Sequence, residues 1–123
     1  MKLIKFILIA TTLFCFSSSV MAAMDGNELL KACINHEFVN DYKDKDFDEF
    51  KLGICSGFVD GVTETMIVSR LAKDKKICFP IEMTKNQAIR VILHYIRDHP
   101  ESLHEPGTIL AIKAYEKAFP CEK

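Results

Sequence analysis

The sequence has no excess of positive charge. Its 123 residues include 16 lysine and arginine residues and 17 aspartate and glutamate residues. Two of the basic residues, Lys2 and Lys5, lie in a leader that we expect to be removed, which leaves 14 basic and 17 acidic residues and a net charge of −3. Because nucleic-acid-binding proteins carry a basic patch or stripe, this balance argues against a nucleic-acid partner.

The sequence also lacks the short motifs of several common enzyme classes. It contains no glycine-rich phosphate loop and no Gly-x-Ser-x-Gly nucleophile elbow. His36-Glu37 begins like a zinc-protease motif, but its fifth position is Asn40 rather than histidine. We therefore predict that the protein is not an enzyme and needs no cofactor.

Two further patterns resemble metal sites but are incomplete. Asp44, Asp46 and Asp48 match the first, third and fifth positions of a calcium loop, yet glutamate replaces the glycine of the sixth position and cysteine the glutamate of the twelfth. Acidic residues ahead of a helix are also favoured by the helix dipole. Three histidines follow one another at intervals of five, which does not align them on one helical face: His94, His99 and His104. We predict no metal site.

The N-terminal residues 1–23 have the form of a secretory signal peptide. Lys2 and Lys5 form the positively charged n-region, the apolar core covers 3–16, and small residues follow, with cleavage expected after Ala22 or Ala23. The apolar core is shorter than the roughly 20 residues that span a membrane, and Phe14 before Cys15 argues against a lipoprotein signal. We expect an exported single domain over 24–123, without membrane insertion.

Four cysteines remain in that domain: Cys33, Cys55, Cys78 and Cys121. An even number in an exported chain indicates disulfide bonds, with three possible connectivities. The alternative, a cysteine–histidine hydrolase, needs a free thiolate, whereas all four cysteines can pair. We therefore prefer structural disulfides.

The helical patterns predict an all-α domain of about four helices. The first runs over 25–39 from Asp25, with Glu28 completing a capping box, and the second begins near residues 47–50. The third runs from Thr84 to the His99-Pro100 pair, and the fourth from Pro106 to Pro120. If consecutive helices are antiparallel, this register favours Cys33–Cys55 and Cys78–Cys121.

The stretch 52–71 is expected to be the central helix. Apolar residues recur on one face at helical spacing, and Gly53, Gly57 and Gly61 recur every fourth residue on another. Each interior glycine costs about 1 kcal/mol relative to alanine. We therefore predict a disulfide-stapled bundle with a buried, glycine-striped central helix that a neighbouring helix approaches closely.

The segment Gly53-Ile-Cys-Ser-Gly57-Phe58-Val-Asp-Gly61 resembles the Gly-x-Cys-x-Gly-aromatic-x-x-Gly segment of the Rap/Tai family of immunity proteins. The sequence departs from that family's pattern at Phe58, where tyrosine is common, at Glu64, where aspartate is expected, and at Gly107, near a usual alanine. Further matching segments follow in order: Cys78-Phe-Pro80, Thr84-x-x-Gln87, Tyr95 to Glu101, Leu103-His104, Ala114 and Ala118 to Cys121.

The resemblance implies a periplasmic, mostly helical and often dimeric protein. Such proteins bind and block peptidoglycan amidase toxins delivered by type VI secretion, so the implied partners are a cognate amidase and a second copy. Apolar residues nearly encircle the third helix and could in part face that copy: Ile89, Val91, Ile92, Leu93, Tyr95 and Ile96. The alternative is a small periplasmic acid-stress chaperone, in which acid dissociates a dimer and thereby exposes apolar surface.

For the contact with a toxin, the segment between the third and fourth helices is the first hypothesis. Pro100 and Pro106 stiffen its ends, which lowers the entropy lost on docking, and its candidate contact residues are His99, Glu101, His104 and Glu105. The competing interpretation is a well-packed turn whose histidines bond local carbonyls. The rival contact site is the basic loop with Lys73, Lys75 and Lys76.

Overall fold

The computed structural model describes residues 23–38, 48–68 and 77–121. Within these ranges the chain forms four α-helices and two short 3₁₀ segments, and β-structure is limited to isolated bridges. The predicted small all-α bundle is therefore confirmed. The elements are α1, Gly26–Cys33; a 3₁₀ segment, Ile34–Phe38; α2, Glu49–Val68; α3, Lys85–Asp98; a 3₁₀ turn, Pro100–Ser102; and α4, Gly107–Ala118.

Residues 1–22, nearly all of the predicted signal peptide, lie outside the described ranges. Among the helices that the structure describes, none has the length and apolar character needed to cross a membrane.

Two of the predicted helix starts, those of α1 and α3, are confirmed by their capping bonds. The Asp25 side chain accepts from the Glu28 N–H, and the Glu28 side chain accepts from the Asp25 N–H at 3.3 Å, which completes the capping box of α1. Thr84 Oγ1 accepts from the Gln87 N–H at 3.2 Å and starts α3. The regular part of α1 is shorter than predicted, because the chain tightens into 3₁₀ geometry after Cys33.

Two disulfides connect these elements, with the pairing that the helix register predicts. Cys33 at the end of α1 is bonded to Cys55 in α2, and Cys78 before α3 is bonded to Cys121 after α4. They close loops of 22 and 43 residues. In the chain-entropy account, loops of this length each stabilise the fold by roughly 3 to 4 kcal/mol.

The core lies where α2, α3 and α4 meet α1. The α1 helix packs on α2, and α3 packs on both α4 and α2. The largest fully buried residues of the core come from all four helices: Leu29, Cys33, Cys55, Val59, Ile89, Ile92, Ile96, Leu110 and Tyr115.

A buried hydrogen bond joins α2 to α4 inside this core. The hydroxyls of Thr63 and Tyr115 are 2.7 Å apart, and Tyr115 is fully buried. Burial of Tyr115 raises the pKa of its phenol. The ring of Phe79 packs edge-on against the Tyr115 ring, with centroids 5.1 Å apart.

The prediction of a buried glycine stripe is wrong. Gly53, Gly57 and Gly61 are exposed, and a Cβ built at any of them meets no atom of the described residues within 4 Å beyond its own local helix. The α2 helix instead buries one face, formed by Cys55, Val59, Thr63 and Met66. The glycines lie on the opposite side of α2, which none of the other described elements approaches closely.

The close backbone approaches occur at the other two glycines. A Cβ at Gly26 would lie 2.8 Å from the Leu103 carbonyl oxygen, and one at Gly107 would lie 3.0 Å from the Met24 carbonyl oxygen. Both glycines sit where the N-terminus of α1 meets the connection between α3 and α4.

The apolar surface of α3 is mostly internal. Ile89, Ile92, Leu93 and Ile96 are buried in the core of this subunit, so they are not available to a second copy, and the expectation that part of this surface faces one stays a prediction for the remaining two residues. Val91 and Tyr95 are half-buried. Exposed large apolar side chains lie elsewhere: Ile34, Phe50, Ile67, Val68, Ile81 and Ile109.

We predict that Gly57→Ala stabilises the protein by about 0.5–1 kcal/mol, because alanine restricts the unfolded chain and favours the helix without meeting a neighbour. Gly26→Ala is the matched control and should destabilise, since its Cβ would lie 2.5 Å from Leu110 Cδ1 and 2.8 Å from a backbone oxygen. Urea unfolding of both variants measures this. A destabilised Gly57→Ala protein would contradict the exposed glycine face.

We predict that Tyr115→Phe costs about 1 kcal/mol or more, because it leaves the buried Thr63 hydroxyl without its partner. Thr63→Val should cost a similar amount. The double variant should be less destabilised than the two single effects combined, as measured by denaturant unfolding. Strict additivity would show that the two hydroxyls do not interact.

Candidate functional site

The segment 99–105, here called the anchored turn, is fixed to the N-terminus of α1. The Leu103 carbonyl oxygen accepts from the Asn27 backbone N–H at 3.1 Å and from Asn27 Nδ2 at 3.0 Å. The Glu105 carbonyl oxygen accepts from the Gly26 N–H at 3.0 Å. Just beyond the turn, the Gly107 N–H donates to the Met24 carbonyl oxygen at 2.7 Å. The turn is therefore held by elements distant in sequence.

His99 bonds to the end of α3 within the protein. Its Nδ1 lies 2.7 Å from the Tyr95 carbonyl oxygen, and its ring stacks on the Tyr95 ring with centroids 4.1 Å apart. Lys117 Nζ lies 5.8 Å from the centroid of the same tyrosine ring. The local-carbonyl interpretation thus holds for His99, which completes the last turn of α3 rather than pointing a ring at a partner.

Glu105 is also engaged within the protein. Its two carboxylate oxygens accept from Lys113 Nζ at 2.9 and 2.6 Å. This hydrogen bond from Lys113 lowers the pKa of the Glu105 carboxyl, and the same bond raises the pKa of Lys113. Glu105 therefore links the turn to α4.

The structure consequently divides the four predicted contact residues of the turn into two pairs. His99 and Glu105 are partly buried and bonded to neighbouring elements, whereas Glu101 and His104 are exposed. The rival residues Lys73, Lys75 and Lys76 lie outside the described ranges, so their role stays a prediction.

Of the three acids that resemble a calcium loop, Asp48 behaves as expected for a helix start. Asp48 Oδ1 accepts from the backbone N–H groups of Phe50 and Lys51, and chiefly the bond from Lys51 lowers the pKa of the Asp48 carboxyl. Asp44 and Asp46 lie outside the described ranges. In the part of the chain that is described, no three histidine, cysteine, aspartate or glutamate side chains are grouped closely enough to hold a metal ion.

Sequence reasoning missed an open groove between α1 and α2. The groove has a volume of about 550 Å³. Phe50 lies in it and is 76% exposed. Phe50 precedes Gly53 by three residues and Gly57 by seven, which places it on the same exposed face of the helix as these glycines. This spacing is the feature of the sequence from which an exposed Phe50 could have been predicted. The other lining residues are Met24, Glu28, Lys31, Ala32, Lys51 and Ile54.

These features define a class of protein. The fold is a small helical bundle closed by two disulfides, a bond type typical of exported proteins. All four cysteines of the described residues are oxidised, so none of them offers a thiol nucleophile. Hydrogen bonds to α1 hold the anchored turn in place, and Glu101 and His104 are exposed on it.

A family model for Rap1a immunity proteins matches residues 25–121, and the chain belongs to this family. The resemblance found in the sequence is thereby confirmed, and the protein is an immunity protein whose partner is a toxin. Searches of curated proteins and of solved structures gave no significant match.

We predict that Glu105→Gln lowers stability at neutral pH and has little effect in acid. The folded-state pKa of Glu105 lies below the ordinary value of 4.5, so its pairing stabilises the fold above that value and is lost as the pH falls through the folded-state pKa.

Urea midpoints of wild type and Glu105→Gln at neutral pH and near pH 3 measure this. Glu101→Gln, at an exposed position of the same turn, is the control and should change neither midpoint appreciably. A Glu105→Gln difference of equal size at both pH values would contradict the ion-pair account.

Proposed function

We propose that this protein is a periplasmic immunity protein that binds and blocks a peptidoglycan amidase toxin delivered by type VI secretion. The observation that carries the proposal is the match to an immunity family over residues 25–121, which includes every helix of the described fold. Family membership favours this function over the acid-stress chaperone alternative.

Export by a cleaved signal peptide over 1–23 is part of the proposal, with 24–123 as the mature domain. Two disulfides support an oxidising destination. The tertiary contacts also reach back to the residue that follows the expected cleavage site, because the Met24 carbonyl oxygen accepts from the Gly107 N–H. A mature chain beginning at Met24 would retain this contact.

Inhibition in this proposal is steric and electrostatic, without chemistry by the immunity protein. The anchored turn is held at Leu103 and Glu105 by bonds to α1, so docking it into a groove would cost less entropy than docking a flexible loop. Glu101 and His104 supply exposed polar groups for a catalytic cysteine–histidine pair. His99 and Glu105 hold the turn in shape.

A homodimer is the proposed assembly. Several large apolar side chains are exposed in one copy, with Phe50 at 76% and Val68 at 81%. Covering such side chains with a second copy would remove apolar area from water, which favours association. Sedimentation of the mature protein over a concentration range tests this element separately from toxin binding.

The function is tested by adding the purified mature protein to a panel of type VI amidases, including those encoded in the same genome, and following peptidoglycan cleavage. One amidase should lose activity at near-stoichiometric inhibitor. Undiminished cleavage by every amidase at large excess, together with no complex by size-exclusion chromatography, would reject the amidase as the partner.

We predict that Glu101→Lys weakens amidase binding at least about tenfold, or about 1.4 kcal/mol, with the fold unchanged. Glu82→Lys is the matched control, because Glu82 is also exposed and lies before α3 whereas Glu101 lies after it. The 14-residue helix between them is about 21 Å long.

Binding titrations by calorimetry compare the two variants. If Glu101→Lys binds as tightly as wild type, the inhibitory surface lies elsewhere, and Lys73, Lys75 and Lys76 become the first residues to replace. Equal weakening by Glu82→Lys would show that overall charge, rather than the anchored turn, governs binding.

A further inference from the structure

The two disulfides lie in different environments. Cys33 and Cys55 are both 0% exposed and belong to the hydrophobic core. Cys78 is exposed and Cys121 is half-buried, and both lie at the surface end of the bundle. The second bond therefore lies nearer the surface than the first, which is enclosed by the core.

The exposed disulfide lies beside a short set of backbone contacts. The Cys78 N–H donates to the Phe119 carbonyl oxygen at 2.8 Å, and Ile77 forms an isolated antiparallel bridge with Pro120. Ile77 itself is buried. The segment before α3 is therefore paired with the end of α4 by groups other than the sulfur atoms.

Further contacts continue from this pairing into the core. The Phe79 ring lies 5.1 Å from the Tyr115 ring and 5.9 Å from the Phe119 ring, measured between centroids. Tyr115 in turn bonds Thr63 of α2. These contacts do not involve the sulfur atoms of Cys78 and Cys121, and the core disulfide is separate from them.

We propose that Cys78–Cys121 is a redox-responsive site that exchanges with a Cys-x-x-Cys dithiol of the thioredoxin-fold class while the bundle stays folded, whereas Cys33–Cys55 does not exchange. This proposal goes beyond toxin binding and does not depend on it. The reduced site would loosen the pairing of the 77–79 segment with α4 and leave the α1–α2 connection closed.

The exchange proceeds in two balanced steps. A thiolate of the dithiol attacks Cys78 Sγ, the more exposed cysteine; the bond between the two protein sulfurs breaks, and Cys121 leaves as a thiolate that takes up a proton. The second thiolate of the dithiol then attacks the mixed disulfide and releases Cys78. The protein disulfide gains two electrons, and the dithiol becomes a disulfide.

The experiment uses the full mature protein and dithiothreitol as the dithiol probe. Samples are quenched by acid, alkylated and mapped by mass spectrometry over time. Alkylation records which cysteines have been reduced at each time. Under native conditions we expect the Cys78–Cys121 bond to be reduced about tenfold or more faster than the Cys33–Cys55 bond, because the buried pair reacts only through opening of the structure. In denaturant the two rates should become similar, since burial then protects neither bond.

Equal native rates, or faster reduction of Cys33–Cys55, would overturn the proposal. A rate difference that persists unchanged in denaturant would also overturn it, because local sequence rather than the fold would then be the cause.

Circular dichroism of the partly reduced protein provides the second measurement. Retention of the far-ultraviolet helical signal, with altered near-ultraviolet signal from Tyr115, is expected. Loss of the helical signal on opening Cys78–Cys121 would show that this bond is required for the fold, and the proposal of a redox-responsive site would be rejected. The variant Cys78→Ser with Cys121→Ser, which keeps only the core disulfide, should match the partly reduced protein in both spectra.

Discussion

The structure depends first on the buried bond between Cys33 and Cys55. The α1 helix has only eight residues, and isolated helices shorter than about 12 residues are marginal in water. A covalent bond to α2 at its end, a capping box at its start and hydrogen bonds from Gly26 and Asn27 to the anchored turn together fix it. Because the hydrogen bonds from Gly26 and Asn27 also hold the anchored turn, the placement of α1 sets the shape of the candidate binding surface as well.

The helix starts could be predicted because their capping bonds join residues close in the sequence. The packing of the helices could not be predicted in this way. Asp25 and Thr84 cap their helices through residues three positions along the chain, so the sequence contains both partners. The stripe of Gly53, Gly57 and Gly61 could not be interpreted in this way, because glycine spacing is the same whether the face meets a neighbour or solvent. The real close approaches, at Gly26 and Gly107, involve carbonyl oxygens of Leu103 and Met24, which lie about 80 residues away.

The candidate site shows the same division. Sequence placed four polar residues in one stiff turn, and the structure keeps them there. It also separates residues that hold the turn from residues that face outward, which depends on partners in other elements: Lys113 of α4 for Glu105, and Asn27 of α1 for Leu103. A charged residue in a turn is therefore a candidate for a binding surface only after its internal partners are known, and here Glu101 and His104 are the two exposed candidates.

The three departures from the family pattern are not equivalent in space. A Cβ at residue 107 would lie 3.2 Å from Phe58 Cζ, so Phe58 and Gly107 occupy one packing site beneath α1. The Phe58 ring and Gly107 are thus neighbours at the edge of the core rather than residues of the outer surface. Glu64 is exposed on α2, close to the open glycine face. Of the three positions, Glu64 is the one through which a departure from the family pattern can reach a partner directly.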